Sequence, residues 1–243
     1  MIPPSHPRYK SLATRERLAR YAKDGIVTLE GLTAHGRGEA FDYLIGERTT
    51  GSALIAERTA AAILLSASHP VISVNGNTAA LAATEIAALQ DACGAQVEVN
   101  LFHRTEERVR AIESLLAQAG ADVSTGNAEP LLALPHDRAF CRRDGIFSAD
   151  IVIVPLEDGD RCGVLVGMGK TVIAIDLNPL SRTARTANLT IVDELTRALP
   201  NITAACGELT ASERDRLIAS MNNNYLLSDA IREMKGRLSN ALD

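Results

Sequence analysis

Four short clusters in this chain combine the residue types that bind anions and hold them in place. They are Asn75-Gly76-Asn77-Thr78, Asn100-Leu101-Phe102-His103-Arg104, Glu157-Asp158-Gly159-Asp160-Arg161, and Asp176-Leu177-Asn178 running on to Arg182-Thr183. Arginine offers a planar fork that matches phosphate and carboxylate, and backbone amides at a helix start cradle the same groups. A fifth stretch sets Arg37 between Gly36 and Gly38, where the missing side chains allow the backbone to approach a ligand; a hinge between helices is the alternative. Asp158 and Asp160 offer hard oxygen ligands of the kind Mg2+ prefers, and capping or salt bridging accounts for them equally well.

What must position these clusters is legible in the apolar runs just before them, at 71–74, 97–99, 151–154 and 172–175, with a fifth run at 189–192. Such brief, β-branched, continuous runs are the habit of parallel strands buried on both faces. Helical segments fall between them, at 79–92 behind a cap at Thr78, and at 104–119 with Val109, Ile112, Leu115 and Leu116 along one face. The alternation predicts an α/β fold, a Rossmann-like, doubly wound, mostly parallel sheet. All strand-to-helix loops of such a sheet emerge on one edge, so the clusters should share a crevice. Taken singly, Thr78, Thr105 and Asp158 read as helix caps; four polar clusters on one edge read as a site.

Outside the sheet, 11–23 and 57–68 look helical, with a glycine-interrupted stretch at 31–46 between them, and a weaker strand is expected at 121–124. The tail opens with capping-box spacing at Thr210-Ala211-Ser212-Glu213 and continues as a helix over 228–242. Its Leu226, Leu227, Ile231, Met234 and Leu238 read as core or dimer seam. The expected organisation is one α/β domain over 1–243, with a helical cap (1–69), a Rossmann-like core (70–205) and C-terminal helices (206–243). Gly167-Met168-Gly169-Lys170-Thr171 imitates the end of a P-loop, but Val164 stands where the first glycine belongs and a strand follows at once. Lys170 reads instead as a helix-terminal cation. The dinucleotide fingerprint is absent.

With 243 residues, 46% of them hydrophobic, the chain can bury a full core. A net charge of −5 without long like-charged blocks points away from nucleic acid and from anionic membrane surfaces. Cys93, Cys141, Cys162 and Cys206 are scattered, which fits a reducing interior. The first seven residues lack the pattern of a secretory signal, and no apolar run is long enough to span a bilayer, so a soluble cytoplasmic protein is expected.

At these same residues the chain resembles the archaeal 4-phosphopantoate–β-alanine ligase family, also called phosphopantothenate synthetase. The likeness covers 5–9, 35–47, 71–77, 98–108, 154–161 and 172–183, including His35-Gly36-Arg37-Gly38-Glu39 and Asp176-Leu177-Asn178-Pro179-Leu180-Ser181-Arg182-Thr183. The resemblance implies condensation of 4-phosphopantoate with β-alanine, ATP as co-substrate yielding AMP and diphosphate, Mg2+, a place in coenzyme A biosynthesis, and a homodimer. Carried over by position, it puts ATP contacts at Arg15, Arg37, Asp176, Leu177, Asn178, Arg182, Thr183, Glu194 and Leu195; Glu194 departs from the family pattern. Beside it stand our assignments of substrate binding to Asn75, Gly76, Asn77 and Thr78, and of catalytic roles to His103, Arg104, Asp158, Asp160 and Arg161. His103 could take the proton of the β-alanine ammonium, or serve as a structural or phosphate-binding group. A non-catalytic nucleotide sensor and a Rossmann oxidoreductase are the competing classes.

Overall fold

The computed structural model describes residues 3, 5–6 and 8–240. The expectations for the N-terminal leader, and for the last two residues of the tail helix, therefore fall partly outside the described residues. Three helices come first, α1 (Tyr9–Lys23), α2 (Leu29–Ile45) and α3 (Gly51–Ser66). Then follow β1 (Pro70–Val74), α4 (Gly76–Cys93), β2 (Gln96–Val99), α5 (Glu106–Gln118) and a two-stranded pair, β3 (Glu129–Pro130) with β4 (Phe140–Cys141). The chain continues through β5 (Ile151–Pro155), α6 (Gly159–Gly167), β6 (Thr171–Ile175), α7 (Arg182–Thr186) and β7 (Leu189–Ile191), and closes with α8 (Leu195–Glu208), α9 (Ala211–Ala219) and α10 (Asn223–Ser239).

The main sheet has the order β2-β1-β5-β6-β7, parallel throughout. From β1 the chain moves outward to β2, then returns to lay β5 on the other side of β1. The winding direction thus reverses between β1 and β5, the place where doubly wound sheets open a crevice. Side chains divide by strand period: Ile72, Val74, Ile153, Ile173 and Ile175 face one core with α4 and α8, while Val71, Val152, Val154, Val172 and Ala174 face a second with Cys162 and Leu165 of α6. Burying each such side chain contributes about 1.5–3 kcal/mol, which is why the runs are apolar on both faces.

The predicted core strands are all present, and the Rossmann-like α/β reading holds. Boundaries moved where caps differ from expectation. Asn75, not Thr78, caps α4, its side chain accepting from the Thr78 N–H at 3.0 Å. Thr105 caps α5, which therefore starts at Glu106. The segment expected to be interrupted by glycines is one continuous helix, α2, capped by Thr28 and ended by Gly46 at φ 96°. Its glycines lie on the helix rather than breaking it, because Gly costs only about 1 kcal/mol each and tertiary contacts outweigh that. Helix α3 begins six residues early, at Gly51 behind Thr50, and α10 five residues early, behind Asn222. The strand expected at 121–124 reduces to a single bridge between Val97 and Val123. The Thr210–Glu213 capping box is formed. In α10, Leu226, Leu227 and Met234 are buried, whereas Ile231 and Leu238 are exposed.

Lys170 corrects the helix-terminus reading: its Nζ donates to the carbonyls of Phe147 (2.6 Å) and Ala149 (2.8 Å), fastening the turn before β5. Helix α4 contains a break, with Ala82 at φ −145° and ψ 35°. Arg17 of α1 donates to the Leu81 carbonyl at 2.8 Å, satisfying an acceptor next to the break.

Candidate functional site

The carboxyl ends of β1, β2, β5 and β6 do place the four sequence clusters along one rim, linked by hydrogen bonds. At the switch point, Asn75 Nδ2 donates to the carbonyls of Pro155 (3.0 Å) and Leu156 (3.2 Å), tying the end of β1 to the end of β5. Asn100, following β2, donates to the Phe140 carbonyl at 2.8 Å and accepts from Arg138. Thr183 Oγ1 reaches the Glu157 carbonyl at 2.8 Å, and Arg182 pairs with Asp160, so the β5 and β6 loops are joined as well.

Beneath this rim lies a buried ionic group that sequence reasoning missed in part. Arg138 and Arg161 flank Glu157; Arg161 also donates to Ser73 Oγ at 3.0 Å and is 0% exposed. Burial works to raise the Glu157 carboxyl, and the two guanidiniums overcome it, holding that group below the ordinary carboxylate range. The Arg161 guanidinium is therefore closed off from solvent and spent on Glu157 and Ser73. Asn75 and Thr78 are likewise buried, and spend their side chains on the cap and on the β5 carbonyls. Asn77 Nδ2 donates to the Gly31 carbonyl at 2.7 Å, securing α2 to α4. Gly76 fits because a Cβ there would run into the Ile26 carbonyl. What these four residues leave for a ligand is the helix start itself, where backbone amides concentrate positive potential.

Asp158 caps α6, accepting from the Arg161 N–H at 2.9 Å, while its other oxygen lies 3.6 Å from Arg138 Nε. Burial and then the Glu157 charge raise its carboxyl above the usual range. Asp160 is exposed and paired with Arg182. No group of three or more His, Cys, Asp or Glu side chains able to hold a metal exists among the described residues. The two carboxylates do not fit a protein-built Mg2+ site, because one is engaged in a cap and both face arginines. His103 is exposed at the rim, edge-on to Phe102 at 5.0 Å, and its ring makes no hydrogen bond among the described residues. Arg104 is mostly covered, with its backbone held by Asp137 at 2.8 Å and its guanidinium 3.6 Å from Glu106.

The β6 end carries the residues expected to meet a nucleotide. Asp176 accepts from the Asn178 N–H at 2.9 Å and from Ser181 Oγ at 2.5 Å, and Asn178 accepts in turn from the Leu180 N–H at 2.9 Å, a nested turn that presents its loop at the crevice. Burial raises the Asp176 carboxyl, with Ser181, Asn178 and the nearby Arg37 pulling the other way. Leu177 is buried beneath α2, 3.6 Å from the place a Cβ on Gly38 would occupy. Arg182 projects into solvent at 72% side-chain exposure, while Thr183 is buried. Arg37 is exposed on α2. Arg15 of α1 is clamped by Glu39 of α2 through Nε and Nη2 at 3.0 and 2.8 Å. Glu194 caps α8, its carboxylate accepting from the Thr196 N–H at 2.8 Å, and Leu195 is buried.

Arg138, Glu39, Asp42 and Arg197 were not singled out as site residues. Arg138 sits in a single 3-10 turn (Asp137–Ala139) between β3 and β4, too short to show a period, so no local signal marks it. Glu39 and Asp42 lie inside the quoted 35–47 stretch, where charge at helical spacing from His35 and Gly38 was the available clue.

Fold and rim together define a Rossmann-like α/β protein that gathers loops rich in arginine, asparagine and aspartate beyond the carboxyl ends of parallel strands. A family model described as phosphopantothenate/pantothenate synthetase matches residues 52–237. The chain is 61% identical over 243 residues to the 4-phosphopantoate–beta-alanine ligase of Methanospirillum hungatei, covering all of both chains. It is 54% identical to the ligase of that name from Methanosarcina mazei (98% of this chain, 95% of the relative) and 47% identical to that from Thermococcus kodakarensis (98% and 94%). The chain belongs to the phosphopantothenate/pantothenate synthetase family.

Proposed function

We propose that this enzyme condenses 4-phosphopantoate with β-alanine to 4-phosphopantothenate, converting ATP to AMP and diphosphate, in the cytoplasmic synthesis of coenzyme A. The observation that supports the reading is the rim: the end of β1 at the start of α4 is tied to the β5 loop, the β5 loop is tied to the Asp176–Thr183 loop, and Arg37 of α2 lies near Asp176, in a chain whose full-length relatives bear this ligase name. Four free cysteines, and the lack of any helix among the described residues long and apolar enough to cross a membrane, agree with it. The homodimer implied by the resemblance belongs to the proposal and is measured by sedimentation.

A carboxylate is a poor acyl donor, being resonance-stabilised and negatively charged. Its oxygen attacks the α-phosphorus of ATP, the bond to the β-phosphate oxygen breaks, and diphosphate leaves. The β-alanine amine, once its proton is lost, then attacks the acyl carbon and expels AMP. Both steps bring anions together, so positioning and charge neutralisation dominate the catalytic task. Arg15, Arg37 and Arg182 hold nucleotide phosphates, the Asp176–Asn178 turn holds the nucleoside end, and the α4 start with Arg104 receives the substrate phosphate or carboxylate. His103, exposed at the rim, is the candidate for accepting the amine proton. Since the carboxylates do not fit a metal cage, no step here is routed through Mg2+.

Incubation with ATP, 4-phosphopantoate and β-alanine, omitting each in turn, should give AMP only in the full mixture. Diphosphate exchange into ATP should need phosphopantoate and not β-alanine; release of ADP would overturn the adenylate route. Arg182→Ala should raise the KM for ATP by about tenfold to a hundredfold, the worth of a charge-assisted phosphate contact. Its Tm should hardly move, because the exposed pair with Asp160 contributes little to stability. An unchanged KM for ATP removes Arg182 from the nucleotide site.

A further inference from the structure

The side of α2 turned toward the rim carries almost nothing that packs. Gly31, His35, Gly38 and Asp42 recur there at helical spacing; Gly31 meets Asn77, Gly38 meets Leu177, and Asp42 meets Arg197. Among residues of α2, only Asp42 and Ile45 are buried. A helix normally seats itself with an apolar stripe, and α2 instead has two separate apolar anchors, half-buried Leu32 against the main core near its start and Ile45 with half-buried Phe41 and Leu44 near its end. Between those anchors the contacts that fix its orientation over the rim are polar.

The strongest of these is a fork. Arg197 of α8 grips both oxygens of Asp42, at 2.5 and 3.1 Å, and also Asp193 Oδ1, at 2.6 and 2.8 Å. Asp193 is 1% exposed and is fixed from its other oxygen by Thr49 at 2.5 Å. It directly precedes Glu194, the cap of α8. One guanidinium thus connects the helix that bears Arg37, and that clamps Arg15 through Glu39, to the backbone of Glu194 and Leu195. These residues, all assigned to the nucleotide, come from three separate elements, α1, α2 and the start of α8.

We propose that Arg197, with Asp42, is a positioning residue for the nucleotide: the clasp sets the angle of α2 so that Arg15 and Arg37 meet phosphates held at the Asp176–Thr183 loop. This rests on the ATP-dependent reading given above. Lysine cannot replace the fork, since a single ammonium cannot make parallel bonds to Asp42 while holding Asp193.

The test is steady-state kinetics of Asp42→Asn and Arg197→Lys, with hydrogen exchange of α2 amides. Both variants should raise the KM for ATP by about tenfold, the equivalent of about 1.4 kcal/mol, while the KM values for 4-phosphopantoate and β-alanine stay within about twofold. The double variant should be no worse than the more affected single one, and α2 should exchange faster while α4 and α8 do not. Equal rises for all three substrates, or an unchanged KM for ATP, overturn the proposal. Should either variant fold poorly, hydrogen exchange of the wild-type protein decides: a non-hydrolysable ATP analogue should protect α2, and no protection counts against the clasp. Failure of the wild-type enzyme to make AMP would instead sink the underlying reading.

Discussion

Arg161→Leu should lower the melting temperature by about 10 °C. Breaking a buried ion pair by removing one partner costs about 3–5 kcal/mol, and each kcal/mol shifts Tm by roughly 2–4 °C in a chain of this size. Here the residue is fully enclosed, Glu157 loses its closest cation and Ser73 loses a donor. Arg138 still faces Glu157 at 3.3 Å, which keeps the expected loss toward the lower part of that range. Thermal unfolding followed by circular dichroism measures it. An unaltered Tm together with lost phosphopantoate binding would return Arg161 to the substrate site.

Glu57→Gln should do the reverse and stabilise the protein, increasingly so toward alkaline pH. Glu57 is fully buried in α3, with Asn201 donating to one oxygen at 2.9 Å and the other oxygen lacking a conventional partner. Burial, then the neighbouring Asp193 charge, pushes its carboxyl up to about 9 from an ordinary 4.5. The folded protein therefore keeps a proton that the unfolded chain releases, and the protonated oxygen can donate to Asp193. A group with a raised folded pKa contributes most below its unfolded pKa and loses that contribution as pH rises toward the folded value. Wild-type stability should fall between about pH 5 and 9 by a few kcal/mol, whereas the glutamine variant, which donates at any pH, should show a flatter profile. Denaturant midpoints at pH 5.5 and 8.5 test this; equal differences between the two proteins at both pH values would refute it.

Sequence patterns carried the sheet because strand burial is written in local residue type. The runs at 71–74, 151–154 and 172–175 are apolar on both faces, and only a covered parallel strand suits that composition. The rim was legible for the same reason: strand ends fix where loops emerge. What escaped was the partner of each polar residue. Asp158 could be a ligand, a cap or half of an ion pair by type alone, and Arg138, twenty residues away, decides the matter. Helix α2 was misjudged because glycine frequency is a local penalty, whereas its seating depends on Asn77 and Arg197, which are distant in sequence. The resemblance pointed to residues along the crevice but not to the clasp behind them.

The break at Ala82 makes α4 two rods joined end to end. The short rod bears Asn75 and Asn77 against the sheet edge and the cap; the long rod lies in the main core against α8. At the joint Arg17 supplies the Leu81 carbonyl with the hydrogen bond that a continuous helix would have made internally. The two segments can accordingly take separate directions, the first set by the sheet edge and the cap, the second by the main core.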